Sequence, residues 1–350
     1  MRLTKLDVRG FTVFEAADFP FTPGVNVLIG ENGTGKSHVL KLLYALLAAA
    51  GGNPTKEEAA RAVRDGLGAI FKPDEGQIGR LVRLGAERAD IGLESDEGYG
   101  GNIVSDSGDV SVTEHGLPEP GGALFVPSRE VLAMFEGFLA AYKDRELSFD
   151  ETYRDICLAL TRNPLKGEAK EAAEALGEPI REMLGGTVEL KGKRFYVDLG
   201  DGMREAHLIA EGLRKIAALG YLIQNGSIKA GGVLLWDEPE AGLNPRLIAP
   251  LAKAILRIAA GGVQVILATH DYLLSHKLSL AAEYDVEPRV AMRFFSLIHE
   301  RFADPVKLEI GETLAAIQHN PILSEYAAHF DEERELFRGE DEDQGAEGAT

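Results

Sequence analysis

Apolar residues fall into three kinds of pattern along the 350-residue chain. The first is the short continuous run closed off by turn residues. Residues 25–29, 123–127, 232–236 and 263–268 are of this kind. Such runs predict strands covered on both faces, as in a parallel sheet. The second is helical spacing. It predicts helices over residues 38–47, 55–70, 130–142, 149–160, 168–184 and 207–224, and another from Asn244-Pro245 to Gly261-Gly262. In residues 55–70 the expected buried side is Ala62, Val63 and Leu67. The third is alternation. It predicts two or three strands in residues 2–29, with turns at Gly10 and Pro23-Gly24, strands at 81–84 and 89–93, and a hairpin over 187–199. Residues 98–102 and 105–109 read as hairpin turns or loops. No internal repeat is apparent, and no heptad pattern runs far enough for a long coiled coil.

Strands alternating with helices predict an α/β fold. Composition adds little to that and removes some classes. No stretch offers 18 uninterrupted apolar residues, so no transmembrane helix is expected, and the start of the chain lacks the apolar run of a signal peptide. The single cysteine, Cys157, excludes an internal disulfide framework, fits a reducing cytoplasm and reads as core. Net charge is −19. Residues 331–350 carry nine acidic and two basic side chains, which leaves −12 on the body. That tail is poor in apolar residues and is expected to be disordered from Gly339 onward. A negative body does not attract nucleic acid through its overall field, although a local basic patch still can.

The chemistry concentrates at three strand ends. The strand at 25–29 runs into Gly30-Glu31-Asn32-Gly33-Thr34-Gly35-Lys36-Ser37, and a helix follows at once. This is the phosphate-binding loop G-x-x-x-x-G-K-[ST] in the context it requires. Its glycines let the backbone wrap a phosphate chain, and its N–H groups and the helix start point at the anion. Lys36 is expected on the β- and γ-phosphates and the Ser37 hydroxyl on Mg²⁺. The run at 233–236 delivers Asp237 and Glu238 at its C-terminal end, where ligands of open α/β sheets sit. Asp237 is expected to hold Mg²⁺ with Ser37, and Glu238 to act as the general base on the attacking water. The strand at 263–268 ends at Thr269-His270, with His270 placed to sense the γ-phosphate.

Taken together, residues 30–37, Asp237-Glu238-Pro239-Glu240, Ala241-Gly242-Leu243-Asn244-Pro245 and Thr269-His270 resemble the Walker A, Walker B, D-loop and H-loop of ABC-type ATPases. The opening, residues 24–33, resembles the RecF/SMC/OLD branch rather than the transporter branch. Residues 125–132 and 136–138 resemble the middle segment of small bacterial AAA-type ATPases of this fold. The resemblance implies a P-loop NTPase fold, an ABC-type ATPase head with a mixed sheet and a compact helical insertion. It implies ATP and Mg²⁺ as cofactors, and a head-to-tail homodimer with ATP sandwiched between subunits. The trans contact would come from Ala210, Glu211 and Gly212, which stand where the family has its Leu-Ser-Gly-Gly-Gln signature. Ala210 replaces the serine there, and no Q-loop glutamine is apparent. Arg129 is either a substitute sensor or a surface ion-pair residue.

The expected organisation is residues 1–70 and 206–330 as the two parts of the ATPase domain, 71–205 as an inserted β-rich and helical lobe, and 331–350 as the acidic tail. The expected function is a cytoplasmic ATPase whose ATP-dependent dimerisation drives a DNA-maintenance or anti-phage defence complex. No second catalytic constellation is evident, so a nuclease or other effector would be separately encoded. The alternatives are a RecF-like DNA-binding repair ATPase and the nucleotide-binding subunit of an ABC transporter. The departures in signature and Q-loop disfavour the transporter.

Overall fold

The computed structural model describes residues 1–50, 54–116, 122–144, 147–299, 301 and 304–347. A hairpin of β1 (Leu3–Phe11) and β2 (Phe14–Pro20) precedes β3 (Val25–Gly30), α1 (Lys36–Ala48) and α2 (Lys56–Phe71). Strands β4 (Arg88–Ser95), β5 (Tyr99–Ser105), β6 (Val110–His115) and β7 (Ala123–Val126) follow. Next come α3 (Phe135–Asp144), α4 (Glu151–Leu160), α5 (Glu168–Leu184), β8 (Val188–Lys191), β9 (Arg194–Asp198) and β10 (Met203–Glu205). The chain then runs through α6 (Glu211–Gln224), β11 (Val233–Asp237), α7 (Ile248–Ala260), β12 (Gln264–Thr269) and α8 (Tyr272–Glu283). It closes with β13 (Met292–Ile298), β14 (Lys307–Gly311) and α9 (Pro321–Glu347).

The apolar runs become the middle layer. Six strands pair in the order β14-β13-β3-β12-β11-β7, all parallel except the antiparallel edge β14. The pleat sends alternate residues to opposite faces. Val25, Val27, Ile29, Trp236 and Leu267 join a core with α4, α5, α6, α7 and α8. Leu28, Leu235, Ile266 and Phe295 join a second core with α1, α2 and the hairpin β1–β2. Two polar residues in these runs are fully satisfied, as burial requires. Asn26 bonds both backbone groups of Thr22, and Gln264 bonds both backbone groups of Leu3, which ties the two sheets together.

Several expectations need correction. Strands β4, β5 and β6 are not a separate inserted lobe. They complete an antiparallel sheet in the order β2-β1-β4-β5-β6, so sequence distance hid a pairing with the N-terminal hairpin. β7, also inside the expected insertion, is an edge strand of the central sheet. Within 71–205, α3, α4, α5 and the small sheet β10-β9-β8 remain as the helical part.

Residues 98–102 are mostly strand. Gly101 is there because a side chain has no room, its Cβ position lying 2.3 Å from Thr113 Oγ1. Residues 78–81 form a 3-10 turn and Leu84 is 96% exposed, so no strand runs over 81–84. The helix expected from Glu130 begins at Phe135, because Glu136 and Gly137 leave helical geometry and break its first turn. Ala62 is exposed, and the buried face of α2 is Ala59, Val63, Leu67 and Ile70. The acidic stretch expected to lack structure continues α9 as far as Glu347. No helix among the described residues is long and apolar enough to cross a membrane.

Candidate functional site

β3 and β12 end side by side, with Ile29 opposite Thr269, and β11 ends beside β12, with Asp237 opposite Ala268. The three expected strand-end motifs therefore meet at one edge of the sheet. Between β3 and α1 the chain passes through Gly30, Gly33 and Gly35 with φ of 150°, 85° and 90°, values L side chains rarely adopt. A Cβ on Gly35 would also lie 2.7 Å from Val13 Cγ2. No side chain caps the start of α1, so its first N–H groups are left to a ligand.

Inside this loop the polar groups satisfy one another. Thr34 Oγ1 donates to the Glu31 carbonyl at 2.9 Å. Lys36 Nζ donates to the carbonyls of Gly30 and Glu31 at 2.7 and 2.8 Å. Burial pushes the Lys36 ammonium below its ordinary pKa, against the opposing pull of Asp237, Glu238, Glu240 and Glu31. Ser37 Oγ donates to Asp237 Oδ1 at 3.1 Å across 200 residues of sequence. Burial raises the Asp237 pKa, and the Ser37 hydrogen bond works against it.

Past Asp237 the backbone turns sharply, and Glu238 sits at φ 47°, unusual for any residue but glycine. Its N–H donates to the Ala268 carbonyl at 2.9 Å. Its carboxylate Oε1 lies 3.2 Å from His270 Nδ1. Glu240 is buried and accepts from Thr269 Oγ1 at 2.7 Å, while its Oε2 has no hydrogen-bond partner. Burial raises the Glu240 pKa.

Ala210, Glu211 and Gly212 stand elsewhere, at the start of α6. Ala210 and Glu211 are exposed, whereas Gly212 is buried with its Cβ position 2.5 Å from the Gly242 carbonyl. Gly212 is thus needed for packing within its own chain. Arg129 is exposed in the turn after β7, and Gln77 bonds Glu75 on the surface.

Sequence reasoning missed Lys215. It is 3% exposed and donates to the Ser128 carbonyl at 2.9 Å and to the Glu238 carbonyl. Burial pushes its ammonium down to about 8, while Glu240, Glu238 and Asp237 pull the other way. Its signal was a lysine on the helix face shared by Gly212, Ile216 and Leu219.

The donor set is chemically coherent. A hydroxyl and a carboxylate in contact are hard oxygen ligands suited to Mg²⁺. Among the described residues no three His, Cys, Asp or Glu side chains converge on a metal, so such an ion would complete its shell from phosphate and water. The lysine and the bare helix start suit a polyphosphate.

Residues 125–275 match a family described as an AAA domain, putative AbiEii toxin, type IV TA system. A further match, 48% identical over 46 residues, is to the DNA replication and repair protein RecF of Escherichia coli. It spans 13% of this chain and 13% of RecF. Among solved structures, an Smc head bound to the C-winged-helix domain of ScpA superposes with a TM-score of 0.59 at 14% identity. That superposition covers 91% of this chain and 100% of the Smc head. The Smc head of Pyrococcus furiosus with an extended coiled coil, bound to the C-terminal domain of ScpA, superposes at 0.54 with 14% identity, over 93% of this chain and 99% of that one. The chain has the fold of the Smc ATPase heads, an α/β P-loop fold with a mixed sheet. In that frame the loop that resembles a Walker A, residues 30–37, follows β3, and the segment that resembles a Walker B ends β11. The segment that resembles a D-loop packs on the start of α6 through Gly242 and Leu243.

Proposed function

We propose that this RecF/SMC-like protein binds ATP with Mg²⁺ and hydrolyses it, and that bound ATP joins two copies head to tail. The observation that carries the reading is the Ser37–Asp237 hydrogen bond, which brings the two halves of a phosphate and metal site together. Gly30, Glu31, Asn32, Gly33, Thr34 and Gly35 wrap the phosphates, and Lys36 leaves its loop carbonyls for the β- and γ-oxygens. Ser37 and Asp237 would hold the metal. Glu238 takes the proton of the attacking water, with His270 beside it at the γ-phosphate. Mg²⁺ supplies charge neutralisation at the phosphates.

Ala210, Glu211 and the exposed start of α6 face the partner's nucleotide in this reading. Their contribution is backbone N–H groups, since Ala210 brings no hydroxyl. Hydrolysis separates the copies, so the output is conformational, in a cytoplasmic DNA-maintenance or anti-phage complex with a separately encoded effector. The family description naming a putative toxin supports the defence version. The Smc heads bound to ScpA domains support a protein partner for the head. The short RecF match supports direct DNA contact as the second reading.

The test uses Glu238→Gln, which keeps a water-holding group and removes the base. Hydrolysis is expected to fall about 10²–10⁴-fold with ATP binding retained. This variant should sediment as a dimer only with ATP, and adding Ala210→Trp at the exposed helix start should return it to the monomer. Wild-type hydrolysis by Glu238→Gln would remove Glu238 as the base. ATP-dependent dimers that survive Ala210→Trp would place the interface elsewhere.

A further inference from the structure

We propose that Lys215 is a positioning residue for hydrolysis: held inside the fold by two strand-end carbonyls, its ammonium fixes the turn that aims Glu238 and ties that turn to the start of α6. The proposal rests on the ATPase reading above.

Glu238 occupies a backbone conformation that a glutamate does not favour. Such a conformation persists only where its surroundings over-determine it. Here both of its peptide groups are pinned. The N–H is held by the Ala268 carbonyl of β12, and the C=O accepts from Lys215 and, at 3.1 Å, from the Ala241 N–H. The same ammonium holds the carbonyl of Ser128, just past β7. β7 and β11 are neighbours in the sheet, with Val126 opposite Trp236. One cation thus fastens two adjacent strand ends. Without it, the Glu238 carbonyl keeps only the local Ala241 N–H and loses its tie to α6 and to the end of β7, so the carboxylate 3.2 Å from His270 Nδ1 is aimed less firmly.

A buried ammonium is costly, and an apolar side chain would fill the space at lower cost unless the charge has a task. The carbonyls it holds belong to segments that line the site, not to distant core. Lys215 also lies one turn along α6 from Gly212, which touches the D-loop at Gly242 and Leu243. The start of α6 therefore contacts the segment around Glu238 twice, through packing at Gly212 and through charge at Lys215. A displacement of that helix start by a second subunit reaches the base by a rigid path of one helical turn.

A lysine serving only fold stability and one acting through Glu238 differ in a double-variant cycle on the full chain. Lys215→Met keeps the volume and removes the charge. It should bind ATP within about threefold of wild type, and its kcat should fall about 10- to 100-fold, the scale of a misplaced catalytic group. In the Glu238→Gln background, where there is no base to aim, the same substitution should change single-turnover hydrolysis by less than about twofold. A kcat within about threefold of wild type for Lys215→Met, or equal losses in the two backgrounds, overturns the proposal. If Lys215→Met melts below the assay temperature, Lys215→Gln carries the same cycle with the same two outcomes. A wild-type chain that neither binds nor hydrolyses ATP with Mg²⁺ fails the ATPase reading itself, a result visible before any Lys215 variant is compared.

Discussion

In the proposed reading Lys36 serves two states of the site. It closes the loop on its own carbonyls, at 2.7 and 2.8 Å, with the charge that a triphosphate would claim. Lys36→Ala removes that charge and leaves a loop whose shape is set by its glycines. ATP affinity should fall at least about 100-fold, the scale of losing a close charge-assisted contact. The melting temperature should move by only a few degrees. Unchanged affinity in calorimetry would refute the assignment of Lys36. Cys157 is the opposite case, a reactive group with no task at the site. It is fully buried among apolar residues, and burial pushes its thiol up to about 12 from 9.0. The thiolate is the nucleophile, so at pH 8 the native chain should react with iodoacetamide at least about 100-fold more slowly than the chain in denaturant. The sign for stability follows from the same shift. The folded form keeps its proton to higher pH, so this contribution is intact below about 9 and fades as pH rises toward 12. Fast native alkylation would mean that α4 opens readily.

At the scale of elements, Gly66 of α2 and Gly212 of α6 make opposite forecasts. Gly66 lies inside α2, and a Cβ there would meet nothing nearer than the Ala45 carbonyl at 3.6 Å. Gly66→Ala should therefore stabilise by about 0.5–1 kcal/mol through reduced backbone entropy in the unfolded chain. Gly212, in the first turn of α6, has the Gly242 carbonyl at 2.5 Å and Leu243 Cδ2 at 2.7 Å. Gly212→Ala should cost about 1–3 kcal/mol through overpacking. Urea unfolding of the two variants checks both signs, and a stabilised Gly212→Ala would show that the D-loop yields freely. The contrast also explains why a glycine in the signature region cannot be assigned to the partner's nucleotide on sequence grounds alone. The packing demand within the chain is sufficient to require it.

Over the whole molecule, one central sheet separates two cores, and the candidate site lies along the edge where β3, β11 and β12 end. The chain carries a net charge of −19. Duplex binding by the chain alone should then be weak at physiological salt, near the 10⁻⁴–10⁻⁶ M of non-specific contacts, and should weaken further as salt rises. Filter binding or anisotropy across a salt series measures this. Tight, salt-resistant binding without a partner would favour the RecF-like reading over a partner-dependent one.

The sequence by itself determined four of the five parallel strands of the central sheet, all but β13, and the three motifs at their ends. Each is a local pattern, an apolar run followed within a few residues by its chemistry, and no distant contact is needed to read it. It also placed α5 and the hairpin of β8 and β9 within a residue or two, because their turn and cap residues are local too, while α7 starts three residues after Pro245, behind a 3-10 turn. Only the tertiary structure decided that β4, β5 and β6 extend the N-terminal sheet, because pairing across 80 residues leaves no periodic trace. It alone showed that Gly101 and Gly212 answer to close packing, since a glycine in sequence looks the same in a turn and under a neighbouring carbonyl. Lys215 was illegible for the same reason. Its partners are backbone carbonyls after β7 and β11, 87 and 23 residues away, and a main-chain oxygen has no letter in the sequence.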